Sequence, residues 1–180
     1  QIMNYFIQFL TYFRIFTAPV IFVLITTFDY YRWALFLFFL ASISDYWDGF
    51  LARKYKLESM VGEVIDPIAD KILTMFLILA LCIELSSVFI GMVGGMMLAR
   101  EFWVAALRDL NARQKTTDST KVTFLAKFKT SIQLLTLSSY LLGLSLNNSL
   151  ILFISNFLLF LALIITIQTG LSYTIATFRR

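Results

Sequence analysis

Asp45-Tyr-Trp-Asp48-Gly49-Phe-Leu-Ala52-Arg53, followed after eight residues by Gly62-Glu-Val-Ile-Asp66-Pro-Ile-Ala-Asp70, is the stretch around which the chain is organised. Its four aspartates stand beside or inside apolar runs long enough to span a bilayer. Ionisable groups at membrane depth are costly and mark function by default. Four charges of one sign repel and take up protons unless cations neutralise them. Clustered oxygen ligands suit a divalent ion such as Mg2+ or Mn2+.

The spacing fits that chemistry. Residues three and four apart share a helix face, so Asp45 and Asp48 are neighbours, and Arg53 lies on the same side about two turns on. Asp66 and Asp70 are one turn apart on a second helix. Gly49 and Ala52 leave room for close approach to the backbone, and Gly62 is expected to mark the turn between the two helices. Two carboxylates from each helix can clamp two metal ions about 3.5–4 Å apart, as in two-metal phosphoryl chemistry. The alternative is a metal-free ion-pair network, for which only Arg53 and Lys71 are near in sequence.

Composition sets the class. The 180 residues are 59% hydrophobic and only 14% charged, against about 25% charged in a soluble domain. The mean hydropathy is +0.82. An all-α integral membrane protein of six transmembrane helices is expected, as one domain over residues 1–180. A single cysteine excludes an internal disulfide, and the absence of histidine leaves Asp, Glu, Lys, Tyr or water as the general base. The first apolar run lacks a small-residue cleavage site and is expected to be a retained span.

Six apolar segments, each near the ~20 residues of a spanning helix, are expected at about 10–28, 33–53, 64–85, 88–111, 122–145 and 149–176. Residues 1–9 alternate at helical period, which fits either a short interfacial helix or the start of the first span. Pro67 is expected in the first turns of the third span, where proline is tolerated. Gly91 and Gly95 form a close-packing pattern on the fourth. With the N-terminus inside, Arg32 alone of the fifteen Lys and Arg residues falls outside. That places the aspartates on the cytoplasmic side.

Arg100 and Arg108 share a face of the fourth helix, and Lys127 and Lys129 enter the fifth from the same membrane side. Singly, each is explained by snorkelling to the headgroups; together they suit a dianionic phosphate. Glu101 and Asp109 each follow an arginine and are placed to pair with it.

The fixed residues Asp45, Asp48, Gly49, Ala52, Arg53, Gly62, Asp66 and Asp70, at these spacings, resemble the signature of the CDP-alcohol phosphatidyltransferases. Leu10-Thr11-Tyr-Phe-Arg14, Ala99-Arg100-Glu101 with Arg108, and Lys127-Phe-Lys129-Thr130 extend the likeness to bacterial members that use sn-glycerol 3-phosphate as acceptor. The resemblance implies a six-helix membrane fold, usually a homodimer, in the bacterial inner membrane with its active site facing the cytoplasm. It implies transfer of a phosphatidyl group from CDP-diacylglycerol to the acceptor with release of CMP. By the same resemblance, Asp45, Asp48, Asp66 and Asp70 hold two Mg2+ or Mn2+ ions, and Asp70 is also the general base. Thr11, Gly49, Ala52, Arg53 and Gly62 contact the CDP moiety. Arg100, Arg108, Lys127 and Lys129 take the acceptor phosphate. Members with other acceptors, such as inositol phosphate or the phosphatidylglycerol of cardiolipin synthases, share the motif. Outside the family, the alternative is a divalent-cation transporter, against which stands the lack of polar groups towards the outer face. Membrane lipids are expected partners; nucleic acid is not.

Overall fold

At membrane depth every backbone N–H and C=O has to be satisfied within the protein, and a helix does so within one segment. The computed structural model describes residues 2–55, 60–113 and 124–178, omitting the side chains of 2–8, 45–46, 48–55, 60–64, 66–67 and 124–128. These residues form six helices: α1 (Ile2–Thr26), α2 (Tyr31–Tyr55), α3 (Met60–Glu84), α4 (Val88–Arg113), α5 (Phe124–Ser145) and α6 (Ser149–Phe178). Among the described residues, three helices are long and apolar enough to cross a membrane, at Phe9–Thr26, Val88–Arg113 and Ser149–Phe178. Among the described residues α2 also carries a shorter apolar stretch, Tyr31–Ser44. This is the make-up of a multi-pass membrane protein.

The helices bear on three expectations. Of the two readings of the N-terminal residues, the described ones are continuous with the first span in α1 (Ile2–Thr26). Gly62 is helical, within α3 (Met60–Glu84), and so does not make the bend. Pro67 therefore sits about two turns into the helix. Hydropathy alone does not mark this part of the helix, because Gly62 and Glu63 are polar residues inside α3. Third, of the glycines near the start of α4 it is Gly94 that is buried, while a methyl on Gly95 would meet nothing within 4 Å.

The connections α1–α2, α3–α4 and α5–α6 are alike. Each holds a non-glycine residue in the left-handed region: Asp29 (φ 55°), Ser86 (φ 45°) and Asn147 (φ 48°). Ser87 N–H donates to Cys82 O at 3.1 Å and Asn148 N–H to Gly143 O at 2.9 Å. These are the reversed bonds by which a helix end satisfies its orphan carbonyls.

The chain divides into two compact units, residues 1–87 with 144–147, and residues 88–143 with 148–180. In the first, α1 packs against both α2 and α3. The buried row of α1 is Thr11, Arg14, Thr17, Ala18, Ile21 and Ile25; that of α2 is Ala34, Phe38, Ala41 and Ser44. Ala69, Leu73, Leu77 and Leu81 supply α3. Tyr31 Oη donates to Glu84 Oε1 at 2.5 Å, tying the start of α2 to the end of α3.

In the second unit α4 packs on α6. Trp103 Nε1 donates to Thr174 Oγ1 at 2.9 Å and Asn111 Nδ2 to Thr177 Oγ1 at 3.0 Å. Partner numbers rise together along both helices, so α4 and α6 run parallel. Helix α5 joins α6 through Tyr140 Oη donating to Asn156 Oδ1 at 2.6 Å and Ser155 Oγ donating to Ser139 Oγ at 2.7 Å.

Interhelical polar bonds of this kind contribute about 1 kcal/mol in membrane proteins, and an orphaned buried acceptor costs more than the loss of both partners. Tyr140→Phe is therefore expected to lower stability by about 1–2 kcal/mol. Adding Asn156→Leu should restore part of the loss, measured by thermal unfolding in detergent. A double variant weaker than Tyr140→Phe would contradict this account of the pair.

Candidate active site

The aspartate motif lies on the second half of α2 and the first half of α3. Counted at helical spacing, positions 45, 48 and 52 continue the row Ala34–Phe38–Ala41 of α2, and 62 and 66 extend the row Ala69–Leu73 of α3. The side chains of Asp45, Asp48, Arg53 and Asp66 lie outside the described residues, as does the surrounding of Gly49, Ala52 and Gly62. Asp70 is half-buried on α3, next to the buried Ala69. Among the described residues no three carboxylate or cysteine side chains gather into a metal-ligating group.

Helix α1 contributes two polar groups to the same unit. Thr11 is 3% exposed and Arg14 is 0% exposed, three residues apart on the face that α1 turns to its neighbours. A guanidinium cannot shed its charge in a protein, so full burial requires compensating acceptors. The sequence marked Arg14 only as part of a resemblance; its burial is what the structure adds. Beside this face, a groove of about 320 Å³ is lined by Phe9, Leu10, Phe13, Leu40, Ile43, Ser44 and Trp47. Its α2 wall ends among the motif residues, since Ser44 precedes Asp45 and Trp47 precedes Asp48.

The basic residues are held in detail in the second unit. Arg100 occupies the row Met97–Arg100–Val104–Leu107–Asn111 that α4 lays against α6. Its Nε donates to Thr166 O at 3.0 Å, its Nη2 to Thr169 Oγ1 at 2.7 Å and its Nη1 to Glu101 Oε1 at 3.0 Å. Glu101 also accepts from Nζ of Lys129, which is 8% exposed. One carboxylate thus sits between two cations, and the trio keeps a net positive charge. Arg108 lies two turns on from Arg100. Its Nη2 donates to Tyr173 Oη at 3.4 Å, and the two guanidiniums lie 6.0 Å (Arg100) and 5.4 Å (Arg108) from the Tyr173 ring centre. An aromatic face attracts both cations and lets two like charges share one neighbourhood.

The structure thus brings Arg100 and Arg108 to one ring and Lys129 to Glu101, while the side chain of Lys127 lies outside the described residues. Glu101 orients its arginine as expected. Asp109 does not: it pairs with Arg113 at 2.9 Å, one turn on. Adjacent residues point about 100° apart on a helix, whereas i and i+4 face each other. Sequence reasoning missed Thr166, Thr169, Gly170 and Tyr173 altogether. The available signal was their spacing on α6, which repeats the period of Arg100, Val104, Leu107 and Asn111 on α4.

Residues 7–168 match the family model described as CDP-alcohol phosphatidyltransferase. This chain belongs to that family. Three curated relatives similar to this CDP-alcohol phosphatidyltransferase are named CDP-diacylglycerol–glycerol-3-phosphate 3-phosphatidyltransferase. The one from Rickettsia bellii is 41% identical over 138 residues, covering 76% of this chain and 74% of its own. The one from Sodalis glossinidius is 32% identical over 136 residues, covering 73% and 74%. The one from Shigella flexneri is 31% identical over 167 residues, covering 91% and 90%. The likeness therefore extends over the aspartate motif and the basic residues alike.

Glu101 separates two cations that would otherwise repel at low exposure. Breaking a buried ion pair by removing one partner costs about 3–5 kcal/mol, whereas an exposed pair contributes about 0–1 kcal/mol. Glu101→Gln is expected to cost about 3 kcal/mol of stability and Asp109→Asn less than about 0.5 kcal/mol, both read from thermal unfolding in detergent. Equal losses would show that the Glu101 cluster is as solvated as the surface pair.

Proposed function

We propose that this chain transfers a phosphatidyl group from CDP-diacylglycerol to sn-glycerol 3-phosphate, giving phosphatidylglycerophosphate and CMP for phospholipid synthesis. The observation that carries the proposal is the similarity to enzymes of that name over as much as 91% of the chain. The arrangement of Arg100, Arg108 and Lys129 supports it, because a net positive, partly buried cluster suits a dianionic acceptor. In this proposal residues 1–180 act as one six-span domain of the bacterial inner membrane, homodimeric, with the site open to the cytoplasm.

The donor set Asp45, Asp48, Asp66 and Asp70, oxygen ligands only, fits two Mg2+ or Mn2+ ions. Such ions, when bound, would polarise the diphosphate and offset the charge of departing CMP. Gly49, Ala52, Arg53, Thr11 and Gly62 receive the CDP moiety, and the apolar groove beside Ser44 and Trp47 fits an acyl chain. Asp70 accepts the proton of the acceptor hydroxyl. That oxygen forms the new bond to the phosphatidyl phosphorus as the phosphoanhydride bond to CMP breaks, and CMP leaves with the bridging oxygen. Arg100, Arg108, Lys127 and Lys129 hold the acceptor's phosphate, which fixes its hydroxyl in place.

Purified protein with labelled CDP-diacylglycerol and a panel of acceptors tests the proposal. CMP release is expected with glycerol 3-phosphate; release only with inositol phosphate or phosphatidylglycerol would replace the acceptor. Chelation with EDTA should silence turnover and added Mg2+ or Mn2+ restore it. Asp70→Asn should lower kcat by at least about a thousandfold, the range of a lost general base and charge stabiliser, while CDP-diacylglycerol still binds. Near-normal turnover in that variant would remove Asp70 from the mechanism.

A further inference from the structure

Arg100 is held by α6 more closely than a snorkelling arginine needs. Two of its three hydrogen bonds go to α6, to Thr166 O and Thr169 Oγ1. The Thr169 hydroxyl gives its own proton to its helix, with Ile165 O at 2.8 Å and Thr166 O at 3.0 Å, so its lone pairs remain for the guanidinium. Between these contacts the stem of Arg100 passes over Gly170. A Cβ at Gly170 would lie 2.9 Å from Arg100 Cγ, 3.2 Å from Nε and 3.6 Å from Cδ. The nearest atom, Cγ, belongs to the anchored stem of the side chain and not to a free end. It can give way only by breaking the bonds that Nε and Nη2 make.

A guanidinium has five N–H donors. Thr166, Thr169 and Glu101 take one each, leaving one on each terminal nitrogen. A donor on each terminal nitrogen is what arginine uses to grip a phosphate bidentately. We propose that Gly170 and Thr169 are positioning residues for the acceptor phosphate, acting through Arg100: Gly170 provides the slot for the stem and Thr169 turns the head so that its remaining donors face the ligand. The proposal rests on the reading of Arg100 as an acceptor-phosphate ligand. It adds that α6 sets the affinity for that acceptor without touching it.

The test is steady-state kinetics of the purified full chain in detergent micelles with Mg2+, varying each substrate separately. Gly170→Ala is expected to raise the KM for glycerol 3-phosphate about tenfold, the effect of losing one charge-assisted hydrogen bond, with the KM for CDP-diacylglycerol within about twofold of wild type. Thr169→Val, which keeps the volume and removes the acceptor, should do the same, and Thr169→Ser should restore the wild-type value. Gly95→Ala, where a methyl meets nothing, should change neither. If Gly170→Ala does not fold, the Thr169 pair alone decides. If the Gly170 and Thr169 variants leave the KM for glycerol 3-phosphate unmoved, or raise both KM values alike, the slot has no positioning role. Arg100→Lys separates the two levels, since lysine cannot reproduce the fork. If it raises the KM for glycerol 3-phosphate while the α6 variants do not, the acceptor reading stands and the slot falls. If it raises both KM values equally, the acceptor reading itself falls.

Discussion

A charge inside an apolar helix packing has to be supplied with polar neighbours by the helices themselves. That constraint shapes the second unit of this protein. Arg100 finds a main-chain carbonyl, a hydroxyl, a carboxylate and an aromatic face, all from α4 and α6. Each comes at a position set by helical repeat. The apolar residues between them, Val104 and Leu107 against Tyr173, hold the two helices in the register that makes the polar contacts meet. Packing and electrostatics are therefore one arrangement here. Shifting α6 by one residue would face Arg100 with the wrong side of the helix.

The first unit meets the same constraint with a different composition. Its buried row on α1 carries a fully enclosed arginine among alanine, isoleucine and threonine. The carboxylate-rich halves of α2 and α3 belong to the same unit as this cation, and α1 packs on both helices. At the other end of the helices the polar contacts are neutral-to-acidic, with Tyr31 bridging Asp29 and Glu84. The unit is thus polarised along its length, with the chemistry of the motif at one end and a tyrosine clasp at the other.

Much of this was legible in the sequence. The segment ends expected near 28, 85 and 145 lie within two residues of the ends of α1, α3 and α5, because turn-forming polar residues interrupt long apolar runs there. The helical state of Gly62 and Glu63 was missed because hydropathy counts both as loop, whereas both lie within α3. The pairing of Asp109 was missed because nearness in sequence is not nearness on a helix, yet Glu101 does reach the adjacent Arg100, as Lys129 shares its carboxylate. The α6 strip escaped notice for a different reason. Thr166, Thr169 and Gly170 carry no charge, and their importance lies in leaving room and lone pairs for a residue sixty-six to seventy positions earlier.

The parallel course of α4 and α6 bears on how the protein is made. Parallel neighbours cannot be joined by a tight turn, so α5 has to be synthesised between them. When α4 leaves the ribosome, the helix that supplies Thr166, Thr169 and Tyr173 does not yet exist. An arginine near the middle of an isolated inserting segment costs about 2.5–3.5 kcal/mol, and only the aliphatic surroundings of α4 offset it. The contacts that hold Arg100 on α6 therefore form only after α6 has been made.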